Sequence, residues 1–336
     1  MDQKTIKWGI LGTSSISQHM AAAIAESRNG QVIAVAGRDA EKSKAFAKEF
    51  SISKPCNHYA DLLTDPEIDA VYIGLPNHLH KEWAVKSLEA GKHVLCEKPL
   101  ALNEEETLDI MATAQIKGLV CMEAIMYRCH PLIQEIKSIL QQNLIGHVQL
   151  FQAVYTAKIA HLANPVAGGA IFNLGCYPLS LIRYLSTANV VNLKTIGIRN
   201  ANHSHNDTRS SAILSFDDQS LAAITVSDDL DMSWQFAIWG TKGRLEMLSN
   251  PWFPNNGEQV FRVYRSNEEK PQEIKLTSPL SAYTYQINTM NTLIIEPSAK
   301  LLERVTLQES LENVRLLDEW RTQALSLAKE ELDFCS

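Results

Sequence analysis

The first 120 residues set short, nearly unbroken apolar runs against helical patterns, in strict alternation. Ile6–Leu11 reads as a strand, followed by a small-residue helix over about 15–27. A second strand over 31–37 (QVIAVAG) leads into a charged amphipathic helix over 41–50. The run 69–75 (DAVYIGL) precedes a helix over 80–90, and His93–Cys96 is again apolar. Asn103 then reads as the N-cap of an acidic helix, with Glu106 at the capping-box position and Gly118 as the stop. A further strand follows over 119–125. Strands that are apolar at every position must be buried on both faces, so this pattern predicts a parallel sheet covered by helices on each side.

After about residue 122 the pattern changes. A helix follows Pro131, and then strands come in series: 147–157, Val190–Arg199, 209–216, 220–227, 234–239, 244–247 and 261–264. Several alternate apolar with polar residues, which predicts a mainly antiparallel sheet with one face more exposed. FDDQS at 216–220 reads as its hairpin turn and 250–257 as a loop. Helices over 282–295 and 307–325 close the chain; the stripe Leu307, Leu311, Val314, Leu317 and Trp320 fits core packing. A length of 336 residues suits two domains. The division expected is a parallel-sheet α/β domain over 1–122 and an α+β domain over 123–336.

A net charge of −7 with no basic block argues against nucleic acid or an anionic membrane as partner. No run approaches the ~18 apolar residues of a membrane span, and the N-terminal apolar stretch is too short for a signal peptide. The six cysteines form no CxxC pair, and no His/Asp/Glu cluster has metal spacing. These features predict a cytoplasmic protein without a metal site.

Ile10-Leu11-Gly12-Thr13-Ser14-Ser15-Ile16-Ser17 lies where the first strand turns into the first helix. It fits the G-x-G-x-x-G dinucleotide fingerprint only at Gly12; Ser14 and Ser17 fill the other glycine positions. A turn without ligand is the bland alternative. The second strand ends Ala36-Gly37-Arg38-Asp39. Arginine at that position suits the 2′-phosphate of NADP, whereas NAD calls for a carboxylate. Asp39 falls late and suits a cap of the next helix equally well, and a solvated surface arginine is the bland alternative for Arg38.

Lys98, in Cys96-Glu97-Lys98-Pro99-Leu100, lies at the carboxyl end of a strand, and Leu75-Pro76-Asn77-His78-Leu79-His80 ends the strand before it. Ligands of open α/β sheets bind at that edge. An ammonium there holds a substrate oxygen and makes a neighbouring acid stronger. On position alone a surface lysine is an equal reading. The Lys98-Pro99 bond is open to either isomer.

CEKPLALNEEE, GILGTSSIS, LPNHLH, EAIMYRCHP at 123–131 and GGAIFNLGCY at 168–177 together resemble the glucose–fructose oxidoreductase/inositol dehydrogenase family, Gfo/Idh/MocA. In style they are most similar to the branch of dihydrodiol dehydrogenases, sugar ketoreductases and NADP-dependent aldose dehydrogenases. The resemblance implies a Rossmann domain plus an open antiparallel sheet. It implies hydride transfer between NADP, or NAD, and an alcohol or carbonyl of a small polyhydroxylated substrate. It implies Lys98 as a catalytic residue and Tyr177 as the proton donor or acceptor. It also implies a homodimer or homotetramer formed through the second sheet.

The chemistry agrees with those roles. Moving a hydride to or from carbon requires a proton on the attached oxygen, and a phenol beside an ammonium suits that transfer. By its residues alone Tyr177 also reads as a core tyrosine. Gly12, Thr13, Ser14, Ser15, Ile16, Arg38, Leu75, Asn77, His80, Glu97 and Lys98 are the expected cofactor contacts. Lys98, Tyr127, Arg128, Asn173 and Tyr177 are the expected substrate contacts. Two departures stand out: Asn173 replaces a frequent aspartate, and Gly168-Gly169-Ala170 replaces three glycines. An amide takes no proton at neutral pH, which leaves two other readings open. One is a cofactor-binding sensor without catalysis; the other is a reductase of an unsaturated carbon or imine, like biliverdin reductase.

Overall fold

The computed structural model describes residues 4–162, 168–200, 206–299, 301 and 304–333. Cys335 lies outside them. The chain divides into two units: residues through His130 with Leu280–Leu311, and Pro131–Pro279 with the chain from Glu312 onward.

The first unit runs β1 (Ile6–Leu11), α1 (Ser15–Glu26), β2 (Gly30–Ala36), α2 (Ala40–Glu49), β3 (Lys54–Cys56), α3 (Tyr59–Leu63), β4 (Ala70–Ile73), α4 (His80–Glu89), β5 (His93–Cys96), α5 (Glu104–Lys117) and β6 (Cys121–Glu123). The strands form one sheet in the order β3-β2-β1-β4-β5-β6, and every pair is parallel. Leu11, Val71, Ile73 and Val94 point into one core, and Trp8, Ile10, Tyr72 and Leu95 into the other. Two cores need two apolar faces, which is why these strands lack polar alternation. The strand order reverses between β1 and β4, where a doubly wound sheet opens its ligand crevice.

At α5, Asn103 accepts the Glu106 N–H at 2.9 Å and Gly118 adopts φ 63°. The expected capping box is only half formed, because the Glu106 carboxylate takes the N–H of Leu102 rather than that of Asn103. The sequence reading passed over β3, an edge strand holding Pro55, and the short α3. Proline at an edge needs no ladder hydrogen bond and masks the strand pattern.

The second unit contains α6 (Pro131–Gln141), β7 (Val148–Thr156), α7 (Cys176–Leu185), β8 (Val190–Arg199), β9 (Asp207–Phe216), β10 (Leu221–Ser227), β11 (Ser233–Gly240), β12 (Gly243–Met247), β13 (Gly257–Arg265) and β14 (Gln272–Ser278). The sheet order is β14-β13-β12-β11-β7-β10-β9-β8. All pairs are antiparallel except β7 with β10. β14 is a polar edge strand with no apolar signature in the sequence. One sheet face buries Leu193, Leu214 and Ile224. Ile196, Ile198, Ile213 and Leu221 are exposed.

Two helices end the described chain, α8 (Ala282–Ile295) and α9 (Leu307–Asp333). By its contacts the chain first changes unit at 130/131, beside the expected 122/123. α8 belongs to the first unit: Asn291 accepts the Trp8 indole N–H at 3.0 Å, and Ile287 and Met290 complete the core around Trp8. A buried indole N–H needs such a partner. No described helix is long and apolar enough to cross a membrane.

Candidate active site

Gly12 follows β1 with φ 106°, a conformation costly for any other residue. A Cβ there would lie 2.7 Å from the Gly74 carbonyl oxygen, so the loop after β1 lies directly against the end of β4. Ser17 takes the third fingerprint position and is buried, and a Cβ on Gly74 would lie 2.6 Å from its hydroxyl. The close packing that a helix glycine usually allows is here supplied by a glycine on the neighbouring strand. The Ser14 hydroxyl faces Ser17 and the Gly74 carbonyl, and does not cap α1. The first turn of α1 carries no acidic residue either. Its N–H groups, those of Ser15 and Ile16 among them, suit a pyrophosphate at the positive end of the helix dipole. Thr13 lies beside Gly37, where a Cβ would come within 3.2 Å of its methyl.

Arg38 is exposed just past β2. Asp39 is withdrawn as the N-cap of α2, its carboxylate accepting from Glu41 N at 2.9 Å and Lys42 N at 3.2 Å.

The Lys98 turn is built from buried, hydrogen-bonded groups. The Lys98-Pro99 peptide is cis. Glu97 accepts from the Tyr72 hydroxyl at 2.8 Å and from Lys98 N at 3.3 Å. Burial raises the pKa of Glu97, while the Lys98 charge draws it down. Glu123, buried at the end of β6, accepts from Leu100 N at 3.1 Å and from the Ser310 hydroxyl at 2.6 Å. Burial raises its pKa too, against the pull of these bonds and of Lys98. Lys98 and Asn77 are half-buried, whereas Leu75 is buried.

Three expected contacts have other surroundings. His80 is wholly buried, with its ring nitrogens 2.7 Å from the carbonyls of Pro99 and Leu75, and so presents neither nitrogen to a cofactor. Arg128 is buried and paired with Glu309 at 3.0 Å, and it also donates to the Arg304 carbonyl. Tyr127 is fully buried. A buried arginine is costly without such a partner, and the Arg128 Nη2 is engaged by Glu309 and the Arg304 carbonyl.

In the second unit, Ile171–Gly175 forms a π-helical turn that runs into α7. Pro178 has no N–H for the Leu174 carbonyl, which loosens the helical ladder at this point. Asn173 sits in the wide turn and is half-buried. Tyr177 is 5% exposed. Its ring meets Tyr155 edge-on at 5.6 Å and Phe253 at 5.7 Å, and Trp252 lies 5.8 Å beyond Tyr155. These aromatics fix the phenol in an apolar wall. Asp207 anchors the turn, accepting from Ile171 N at 2.9 Å. A Cβ on Gly169, where φ is 109°, would lie 2.4 Å from the other carboxylate oxygen. Burial pushes the Asp207 carboxyl up to about 7, with Asp228 adding to the rise and the Ile171 N–H and Arg321 opposing it.

The fingerprint loop, the strand order and the two sheets agree with comparison to known proteins. Residues 6–125 match the family model described as an oxidoreductase family with an NAD-binding Rossmann fold, and residues 133–246 match the GFO/IDH/MocA C-terminal domain. The chain belongs to the Gfo/Idh/MocA family. It is therefore an oxidoreductase that uses a nicotinamide dinucleotide. An uncharacterized oxidoreductase of Rhizobium meliloti from the curated proteins is 33% identical over 93% of this chain and 95% of its own length. The trans-1,2-dihydrobenzene-1,2-diol dehydrogenase of Xenopus laevis is 33% identical over 78% of this chain and 82% of its own. A 3-ketoreductase from Actinomadura kijaniata, crystallised with TDP-benzene and NADP, superposes with a TM-score of 0.86 at 25% identity, covering 95% of this chain and 98% of that one.

Sequence reasoning missed Glu123, Asp207 and the aromatic wall of this family member. Glu123 stood inside a quoted motif without a role. Trp252-Phe253, between two prolines in a loop, was the one legible hint, since large aromatics on loops often serve binding.

Proposed function

We propose that this protein interconverts a secondary alcohol or lactol with its carbonyl on a small sugar-like or dihydrodiol substrate, with NADP as the favoured cofactor. When bound, the nicotinamide supplies or accepts the hydride. The Tyr177 hydroxyl gives or takes the proton at the substrate oxygen, and the Lys98 ammonium holds that oxygen and favours the charged phenol. The observation that carries this reading is the Lys98 turn. Glu97, Glu123 and His80 are three ionisable side chains whose bonds converge on residues 97–100. Burying that many polar groups costs stability unless each is satisfied. A solvated surface lysine needs no such support.

Arg38 would hold the 2′-phosphate. Asp39 Oδ1 is engaged as the cap of α2, which favours Arg38 and a 2′-phosphate over a ribose hydroxyl as the pair met there. The complex of the Actinomadura 3-ketoreductase with NADP supports the same preference. Asn173 would contribute a neutral amide to substrate binding. The exposed Ile196, Ile198, Ile213 and Leu221 of the second sheet support assembly into a homodimer or homotetramer through that face.

The test is Tyr177→Phe on a panel of sugars and dihydrodiols, read at 340 nm. Turnover should fall by about 10²–10⁴, the usual worth of a positioned acid/base, while NADPH still binds. Lys98→Met should cost a comparable factor, and the double variant should lose little more, because both act on one step. A Tyr177→Phe enzyme of near-normal rate would refute the proton role.

A further inference from the structure

His80 begins α4 and has no exposed surface. Its Nδ1 lies 2.7 Å from the Pro99 carbonyl oxygen, and its Nε2 lies 2.7 Å from the Leu75 carbonyl oxygen. A carbonyl oxygen has no proton to give, so each contact needs an N–H on the ring. Neutral imidazole has one N–H; imidazolium has two.

The same peptide group is held at its other end. Leu100 N, which shares a peptide plane with the Pro99 carbonyl, donates to Glu123 at 3.1 Å. One buried ring therefore grips the C=O of this plane and one buried carboxyl grips its N–H. The plane immediately follows Lys98-Pro99, so its orientation sets where the lysine stem leaves the backbone. The ring's second contact ties that plane to Leu75, just beyond β4.

We propose that His80 is a positioning residue for Lys98: an imidazolium that donates to both carbonyls at once and fixes the Lys98 turn against the end of β4. The role rests on the reading of Lys98 given above. Burial, the largest influence, acts with Lys98 and His78 to lower the ring's pKa from its ordinary value, and the two carbonyl bonds offset this only in part. The charged ring therefore depends on both bonds together. Losing either carbonyl removes part of that offset, the ring gives up its proton, and only one arm remains.

The protonation state is read directly. The full chain, labelled with ¹⁵N-histidine and saturated with NADP, should show both His80 nitrogens protonated at the pH of turnover, with the signals assigned by their loss in His80→Gln. One bare ring nitrogen at that pH overturns the proposal. Turnover gives the second measurement. His80→Ala should lower kcat on the order of 10²-fold, the usual cost of misplacing a reacting group by about 1 Å, with NADP affinity little changed. Added imidazole should restore part of the rate, and 1-methylimidazole, which lacks one donor, should not. An unchanged kcat, or equal rescue by both compounds, also overturns it. Should His80→Ala fail to fold, the wild-type nitrogen spectrum still decides. Full turnover in Lys98→Met would instead remove the role of Lys98 while leaving the double protonation of His80 intact, so the two failures are distinguishable.

Discussion

Replacing Asp207 with asparagine should change how stability depends on pH. The folded carboxyl titrates at about 7 against an ordinary 3.8. The native state therefore binds its proton more tightly than the unfolded chain does. By linkage, the contribution of Asp207 is fully present below pH ~4, falls as pH rises, and is lost above pH ~7. At ~1.4 kcal/mol per pH unit the full swing is about 4 kcal/mol. The structural origin is burial together with Oδ1, which has no hydrogen-bond partner among the described residues. The amide of the Asp207→Asn variant would keep an acceptor for Ile171 N and carry no charge. Urea unfolding of both proteins from pH 5 to pH 8 isolates the effect as a difference, because the other titrations cancel. The variant should gain on the wild type as pH rises, by about 2.6 kcal/mol across this window, the part of the full swing that falls between pH 5 and pH 8. The gain will be reduced by Arg321, whose charge then loses a favourable partner. Parallel pH profiles for the two proteins would show that Asp207 is ionised at little cost and refute the argument.

Arg38→Ala should weaken NADP binding by roughly 10-fold, the worth of one charge-assisted contact. NAD binding should hardly change, and titration of both cofactors by fluorescence checks the ratio. Ile213→Asp, at a position 48% exposed on the second sheet, should shift the assembly toward monomer in analytical ultracentrifugation. An unchanged sedimentation coefficient would exclude that face as the contact.

The dinucleotide sheet was legible because burial on both faces leaves unbroken apolar runs at β1, β2, β4 and β5, and Gly12 marks the turn between the first strand and helix. The second sheet was legible where one face is wet, as in β9 and β10. β3 and β14 escaped because an edge strand tolerates proline or polar side chains that erase the pattern. The placement of the motifs was legible: Gly12 follows β1 and Lys98 follows β5, as the strand pattern predicts. The site was illegible where the meaning lies in a partner distant in the chain. His80 and Arg128 sit in motifs, but local sequence does not show their partners, two carbonyls for His80 and Glu309 for Arg128. Asp207 gives no local signal at all, since its partner Ile171 lies thirty-six residues earlier.

The late return of α8 sets an order of events during synthesis. Trp8 leaves the ribosome about 280 residues ahead of Asn291, Ile287 and Met290, which close over it. Until then the nucleotide-binding half is an unfinished core with an open apolar side, available to chaperones. A chain halted at Pro279 should bind a hydrophobic dye and precipitate, and α8 supplied as a separate peptide should reverse this.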